Sequence, residues 1–429
     1  MARREVKSAG APASGHGVIS KAPASRRTGG RRSCQAGSFG VLVPLMLCAK
    51  PLNFQFSPGE ASPGFTRVWS TNVFSVATGF GFDFGTDNKT ASPFFFSVAV
   101  PEGNYRVNVL LGDPTSPATN TIKAESRRLM VEHAVTAPGE FKRCSFTVNV
   151  RTPHIAGGGE VKLKPREQGV LHWDDKLTLE FNGARPGMRT LEFMRITNAI
   201  TVYLAGDSTV TDQPNEPWNS WGQMLTRFFQ PDVAVANHAE SGESLKNSLA
   251  SRRIQKILTT IKPGDWLFVQ FGHNDMKDRA TNAVAVFRTN LQQLIADTRA
   301  RGATPVLVTS MERKAGVTKD TLTDYPRTMR EVAQADGVAL IDLHAMSKKL
   351  YAALGADLDQ AFQDGTHHNA YGSYEMARCV IQGIRDLKLP LAKFIADEVG
   401  EFNAAKPDPV AAFQVPASPN SSAVKPDGN

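Results

Sequence analysis

Thr201-Val-Tyr-Leu-Ala-Gly-Asp-Ser-Thr209 opens on five residues of buried-strand character and breaks at once into small and polar ones. The same form recurs downstream in Val233-Ala-Val-Ala236, Trp266-Leu-Phe-Val-Gln-Phe271, Pro305-Val-Leu-Val-Thr309 and Val338-Ala-Leu-Ile-Asp-Leu343. Between these runs lie helical patterns. Phe287, Leu291, Leu294 and Ile295 form one, and Ala377, Val380, Ile381 and Ile384 another, each spaced to line a single helix face. Strands alternating with helices pair in parallel, because each return crossover needs the length of a helix. The segment from 199 to 395 is therefore expected to be a three-layer α/β domain with its ligand site at the carboxyl ends of the strands.

Residues 51–198 read differently. Phe94-Phe-Phe-Ser-Val-Ala-Val100, Tyr105-Arg-Val-Asn-Val-Leu-Leu111, Phe146-Thr-Val-Asn-Val150, Leu177-Thr-Leu-Glu-Phe181 and Thr190-Leu-Glu-Phe-Met-Arg-Ile196 have period-two or aromatic character and are separated by Gly, Pro and Asn. They predict an all-β sandwich, with Asn182-Gly183 closing a strand. From 403 to 429 the chain is rich in Ala, Pro and Ser, a composition expected to stay disordered.

The net charge of +8 points first to an anionic partner, but its location removes that reading. Nine of the 49 Lys/Arg and one of the 41 Asp/Glu lie in residues 1–50, so the rest of the chain carries 40 of each. A neutral body excludes nucleic acid as an expected partner. The basic leader runs into Phe39-Gly-Val-Leu-Val-Pro-Leu-Met-Leu-Cys48-Ala49, too short to span a bilayer and of the length of a signal peptide. Residues 1–50 are read as an export leader, and the mature chain is expected to be secreted or periplasmic without stable membrane insertion. Cys34 and Cys48 lie in the leader. Cys144 and Cys379 fall in different domains and read as buried structural thiols. No C-x-x-C, HExxH, P-loop or G-x-S-x-G is present, so no metal or cofactor is expected.

Four segments follow predicted strands or precede the last helix. In Gly206-Asp207-Ser208-Thr209 a serine at a strand-to-helix turn suits a nucleophile, although Asp and Ser there also serve as helix caps. Gly242, in Glu240-Ser-Gly-Glu-Ser244, can bring a backbone N–H close to a ligand or simply form a turn. Asn274, in Gly272-His273-Asn274-Asp275, carries an amide that can donate to an oxyanion, or caps a turn. In Asp364-Gly-Thr-His367-His368-Asn369 a carboxylate three residues before a histidine can accept from its N–H and hold the other nitrogen toward a serine. This last segment precedes a helix expected from about Tyr371 to Leu387.

Taken together, in this order, the four segments resemble the SGNH (GDSL-type) serine hydrolases, over about residues 200–390. Gly206-Asp-Ser-Thr-Val210, Gly272-His-Asn-Asp275 and Asp364-Gly-Thr-His367 are most similar to the rhamnogalacturonan acetylesterase branch, with Thr209 in place of leucine. The resemblance implies a flavodoxin-like hydrolase fold after an N-terminal jelly roll similar to galactose-binding domains. It implies Ser208 as nucleophile, His367 as general base and Asp364 as its orienter. The oxyanion hole would be the N–H groups of Ser208 and Gly242 and the Asn274 amide. His273 and His368 are read as substrate-binding residues, His273 also reading as a support for the Asn274 loop, and Asp207 reads as a turn stabiliser. The implied partner is acetylated plant cell-wall polysaccharide. The alternatives are another SGNH ester hydrolase (xylan deacetylase, lipase or thioesterase), or a carbohydrate-binding protein that stacks Trp69, Trp173 and the β-domain phenylalanines on sugars; those aromatics equally suit a core. Exported protein is expected to have an intact mass and N-terminal sequence that begin near residue 50; a retained basic leader would contradict the export reading.

Overall fold

A parallel sheet of five strands organises the second half of the chain, in the order Val233–Asn237, Ile200–Gly206, Trp266–Gln270, Thr304–Val308, Ala339–Ile341. The computed structural model describes residues 52–57, 59–89 and 92–427; the leader with Cys34 and Cys48 lies outside them. The strands are apolar on both faces because both are covered. Val202 and Leu204 enter one core with the helices Leu343–Leu354 and Ala370–Asp386, while Tyr203 and Ala205 enter another with Arg253–Thr260, Ala283–Arg299 and Asp324–Asp336. The two cores and the sheet make the three layers.

The chain enters at Ile200–Gly206, steps to Val233–Asn237 on one side, then crosses back to Trp266–Gln270 on the other. Where the direction of winding reverses, the loops leaving neighbouring strands diverge and open a crevice. The loops bearing Ser208, Gly242 and Asn274 leave these three strands.

The first half of the described chain is sheet-rich. Two five-stranded sheets run in the orders Thr66–Arg67, Leu52–Gln55, Met188–Ile196, Gly103–Leu111, Lys142–Val150 and Phe80–Asp83, Phe94–Ala99, Lys176–Arg185, Ala118–Ala124, Arg128–Thr136. Both sheets contribute to one core, where Phe54, Phe56, Phe82, Phe94, Phe96 and Phe181 are buried and mostly meet edge to face. These phenylalanines and Trp173 are thus withdrawn from any sugar-stacking surface, whereas Trp69 is exposed beneath the Arg67 guanidinium. Asn182-Gly183 does not close its strand. Lys176–Arg185 runs through it as a bulge, where Gly183 has φ +132 and a Cβ would lie 2.1 Å from the Thr119 carbonyl. Cys379 is buried, but Cys144 is only partly so.

Both sheet systems belong to one compact unit, Cys48–Asn429, and the chain passes between them from Ile196 to Ile200. Polar groups join them. Arg128 Nε donates to Asp212 Oδ2 at 2.7 Å with both side chains almost wholly buried, and Asn237 Nδ2 donates to Asp212 Oδ1 at 2.8 Å. Thr226 Oγ1 donates to the Leu129 carbonyl, and Gln223 Nε2 to that of Ser126. Leu129 itself packs in the α/β core.

The expected disorder from 403 onward is corrected. Residues 403–427 lie along the body, held by Lys123 Nζ to the Pro416 carbonyl, Asn182 Nδ2 to that of Ala417, Glu216 N to that of Asn420, and Trp218 Nε1 to that of Ser422. Composition reports whether a segment can build its own core; it is silent on donors that another part of the chain offers.

Removing one partner of a buried ion pair leaves an uncompensated charge, at a cost of about 3–5 kcal/mol. Asp212→Ala is expected to lower stability by that amount in denaturant unfolding, whereas replacing both Asp212 and Arg128 by apolar residues of similar size costs less than the single change.

Candidate active site

Ser208 sits on a turn that its neighbours build. Asp207 Oδ1 accepts from Thr209 N at 2.9 Å and Thr209 Oγ1 at 2.8 Å, and its carbonyl accepts from the N–H groups of Val210 and Thr211. A Cβ on Gly206 would lie 2.6 Å from Val210 Cγ2, so the turn can tighten only without a side chain there. Gln270 Nε2 donates to Thr209 Oγ1 at 2.6 Å, which gives the threonine a hydroxyl role that leucine lacks. The reading of Asp207 as a turn stabiliser holds.

The fourth segment closes on the same point. Asp364 Oδ1 accepts from the N–H groups of Thr366 and His367 at 2.6 and 2.7 Å, a tight loop that leaves Oδ2 for His367 Nδ1 at 2.9 Å. His367 Nε2 lies 2.8 Å from Ser208 Oγ. A nitrogen facing a carboxylate carries the proton, so Nδ1 donates to Asp364 and the lone pair of Nε2 accepts from the serine hydroxyl. Burial alone would raise the Asp364 carboxyl, but hydrogen bonds from the His367 side chain and backbone hold it well below the usual carboxylate range. It is therefore ionised at neutral pH and can stabilise an imidazolium. Ser208 and His367 are both buried, and the Trp218 ring meets His367 edge-on at 5.8 Å.

Gly242 has φ +76, which favours glycine, and its loop is tied to the serine loop: Glu240 N donates to the Gly206 carbonyl, and Gln213 Nε2 donates to the Ser208 carbonyl at 2.8 Å and Ser241 Oγ at 3.3 Å. Asn274 Nδ2 donates to the Glu243 carbonyl at 3.0 Å and its Oδ1 accepts from Lys277, which fixes the amide and leaves one N–H for another acceptor. Asp275, lifted to about 7 by burial, accepts from Leu245 N and ties the third segment to the second.

The two histidines read as substrate-binding are turned into the protein. His273 Nδ1 lies 3.1 Å from Asp207 Oδ2 and Nε2 3.0 Å from the Met311 carbonyl, so both nitrogens are occupied and the ring braces the Asn274 loop. His368 is buried against Phe362 and Tyr351, its Nε2 3.1 Å from the Tyr351 hydroxyl, and burial pushes its imidazole down to about 3. Alternate residues of an extended loop face opposite ways, so only one of two adjacent histidines can meet Ser208.

Residues without a sequence signal complete the surroundings. Lys425 Nζ lies 3.4 Å from Asp364 Oδ2, and a cavity of about 260 Å³ beside the serine loop is lined by Gln213, Trp218, Glu240, Ser241, Val424 and Lys425 among others. Neither a loop tryptophan nor a lysine in a proline-rich tail has any periodicity that would mark it. Ligand atoms of Glu167, His172 and Glu240 lie within 4.8 Å of one another, but Arg253 and Arg166 already neutralise the two carboxylates. Among the described residues, no helix is long and apolar enough to cross a membrane.

Residues 204–373 match the GDSL-like lipase/acylhydrolase family. The chain is 38% identical to the rhamnogalacturonan acetylesterase RhgT of Bacillus subtilis, over 47% of this chain and 97% of that protein. It is 36% identical to the probable rhamnogalacturonan acetylesterase YesY of the same organism, over 46% and 98%. A match to the uncharacterized esterase YxiM of Bacillus subtilis, 25% identical, extends over 78% of this chain and 91% of that protein.

An acid group whose folded value is depressed stabilises the fold above its unfolded value, about 3.9 for Asp, and that contribution fades as pH falls toward the folded value. The gap in urea midpoint between the unaltered protein and Asp364→Asn is thus expected to be open at pH 6 and to narrow below about pH 4; a gap that widens on acidification would contradict the ionised pair.

Proposed function

This chain belongs to the GDSL-like lipase/acylhydrolase family and is a carboxylic-ester hydrolase, and we propose that it removes O-acetyl groups from rhamnogalacturonan, a pectic polysaccharide, through an acetyl-enzyme intermediate. The observation that carries the reading is the chain of contacts from Asp364 through His367 to Ser208, 2.9 and 2.8 Å long, at the point where the sheet reverses its winding. The substrate assignment is supported by two relatives, one named as a rhamnogalacturonan acetylesterase and one as a probable one, that match almost end to end over the C-terminal half of this chain.

Ser208 Oγ attacks the acetyl carbonyl as His367 Nε2 takes its proton, and the imidazolium is stabilised by Asp364. The tetrahedral oxyanion receives the N–H groups of Ser208 and Gly242 and the remaining amide hydrogen of Asn274. Collapse transfers the proton from His367 to the departing sugar hydroxyl and leaves acetyl on Ser208. Water then adds with His367 as base, and acetate leaves. His273 supports Asn274 and Asp207 without touching the ester.

The reading extends to organisation. The sheet-rich region, 51–198, is taken as a jelly roll of galactose-binding type, 199–395 as the hydrolase domain, and residues 1–50 as a leader removed on export, so that the enzyme works in the periplasm or outside the cell. Residues 1–50 lie outside the described part of the chain, and their composition is the support for that placement.

Ser208→Ala is expected to reduce acetate release from acetylated rhamnogalacturonan and from p-nitrophenyl acetate by about 10⁴-fold or more. Asn274→Ala is expected to cost about 10²–10³ in kcat. Preference for long acyl chains over acetate in a p-nitrophenyl ester series would overturn the acetylesterase assignment, and full activity of Ser208→Ala would overturn the mechanism.

A further inference from the structure

The last described residues of the chain return to the site. Ser422 and Val424 line the cavity beside the serine loop, Lys425 reaches Asp364, and the Asp427 carboxylate pairs with Arg166 Nη1. The Asp427 side chain also packs against Gly242, since a Cβ built there would come 3.0 Å from Asp427 Cβ.

Arg166 stands in a short turn, Pro165–Glu167, contributed by the sheet-rich half. Its inner edge is fixed. Nε and Nη2 donate to Glu240 Oε1 at 3.0 and 2.7 Å, and Nη2 also donates to the Ser241 carbonyl, one residue before Gly242. Glu240 is buried and anchors the guanidinium plane, so Nη1 is presented outward on the cavity wall in a set orientation. Arg166 is 36% exposed and Asp427 64% exposed, and an ion pair this open to water contributes little and is displaced by a competing anion at small cost. A guanidinium held on one edge by a buried acid, and on the other by a loosely held one, is built to exchange the second carboxylate for that of a ligand.

We propose that Arg166 is the recognition residue for the carboxylate of a uronic-acid sugar at or next to the acetyl ester, and that Asp427 occupies it in the free enzyme as an intramolecular stand-in. The inference rests on the polysaccharide reading above and adds to it the acidic sugar as the feature selected. Arg166 acts in binding and touches no reacting atom. Its hydrogen bond to the Ser241 carbonyl, one residue before Gly242, sets the sugar acid beside the serine loop, and the end of the strap beyond Ser422 is displaced when polymer binds.

The test uses the full chain and a readout independent of turnover: calorimetric titration with a short oligogalacturonate, with a neutral galactose oligomer of the same length, and with sodium acetate. The unaltered protein is expected to bind the acidic oligomer roughly tenfold or more tightly than the neutral one, as for one charge-assisted contact. Arg166→Lys keeps a cation for Glu240 but loses the fork, and should erase most of that preference. Asp427→Asn, an exposed change that does not endanger folding, should tighten binding of the acidic oligomer by up to about fivefold by removing the competitor. Equal binding of the two oligomers, an unchanged preference in Arg166→Lys, or acetate binding as tightly as the oligogalacturonate would each overturn the proposal. If those affinities behave as expected while acetylated rhamnogalacturonan yields no acetate, the function assigned above fails and this inference stands; acetate release with no role for Arg166 is the converse.

Discussion

The buried pair between Arg128 and Asp212 is the contact on which the arrangement of the site depends. A guanidinium withdrawn from water must find a carboxylate, and the one it finds lies in the loop that carries Ser208. Asp212 is held on its other oxygen by Asn237, the last residue of the neighbouring strand, whose amide also donates to the Val210 carbonyl. One carboxylate thus joins the sheet-rich half, the serine loop and the strand leading toward Gly242. The sheet-rich half is part of the support of the site and not a module tethered beside it.

Two acid–histidine pairs stand near Ser208, and their surroundings separate their roles. His367 has a carboxylate on one nitrogen and the serine hydroxyl on the other, so its lone pair faces that hydroxyl. His273 has acceptors on both nitrogens, a carboxylate and a carbonyl, and no lone pair faces a substrate. Asp207 and His273 instead connect the first and third segments, fixing the serine turn and the Asn274 loop relative to one another. Preorganised donors of this kind stabilise a developing charge without reorganising during the reaction.

The loops from Gln213 to Trp218 and from Lys164 to Trp173, with the strap from Pro416 to Asp427, surround the cleft and give it charge and shape. Their contacts are made to distant parts of the chain: Lys123 and Asn182 to the strap, Arg166 to Glu240 and Asp427, Trp218 to His367 and Ser422. None has a local pattern, which is why a proline-rich tail read from composition as disordered proves to be a wall of the site. Asn182-Gly183 makes the same point on a smaller scale, since the dipeptide that commonly marks a turn here marks a bulge imposed by the strand opposite.

The sequence alone determined the alternation of strand and helix, the placing of four chemical segments at loop ends, and the Asp-x-x-His spacing that lets a carboxylate meet an imidazole three residues on. These are local properties, set by side-chain period and backbone reach. The tertiary structure sets His367, the histidine that the spacing favours, against Ser208 and turns His273 to the scaffold role that was one of its two readings; that Arg166, Trp218 and Lys425 border the cleft was decided by the tertiary structure alone. Those outcomes depend on which distant groups satisfy one another once water is excluded, and burial and pairing across hundreds of residues leave no trace in local order.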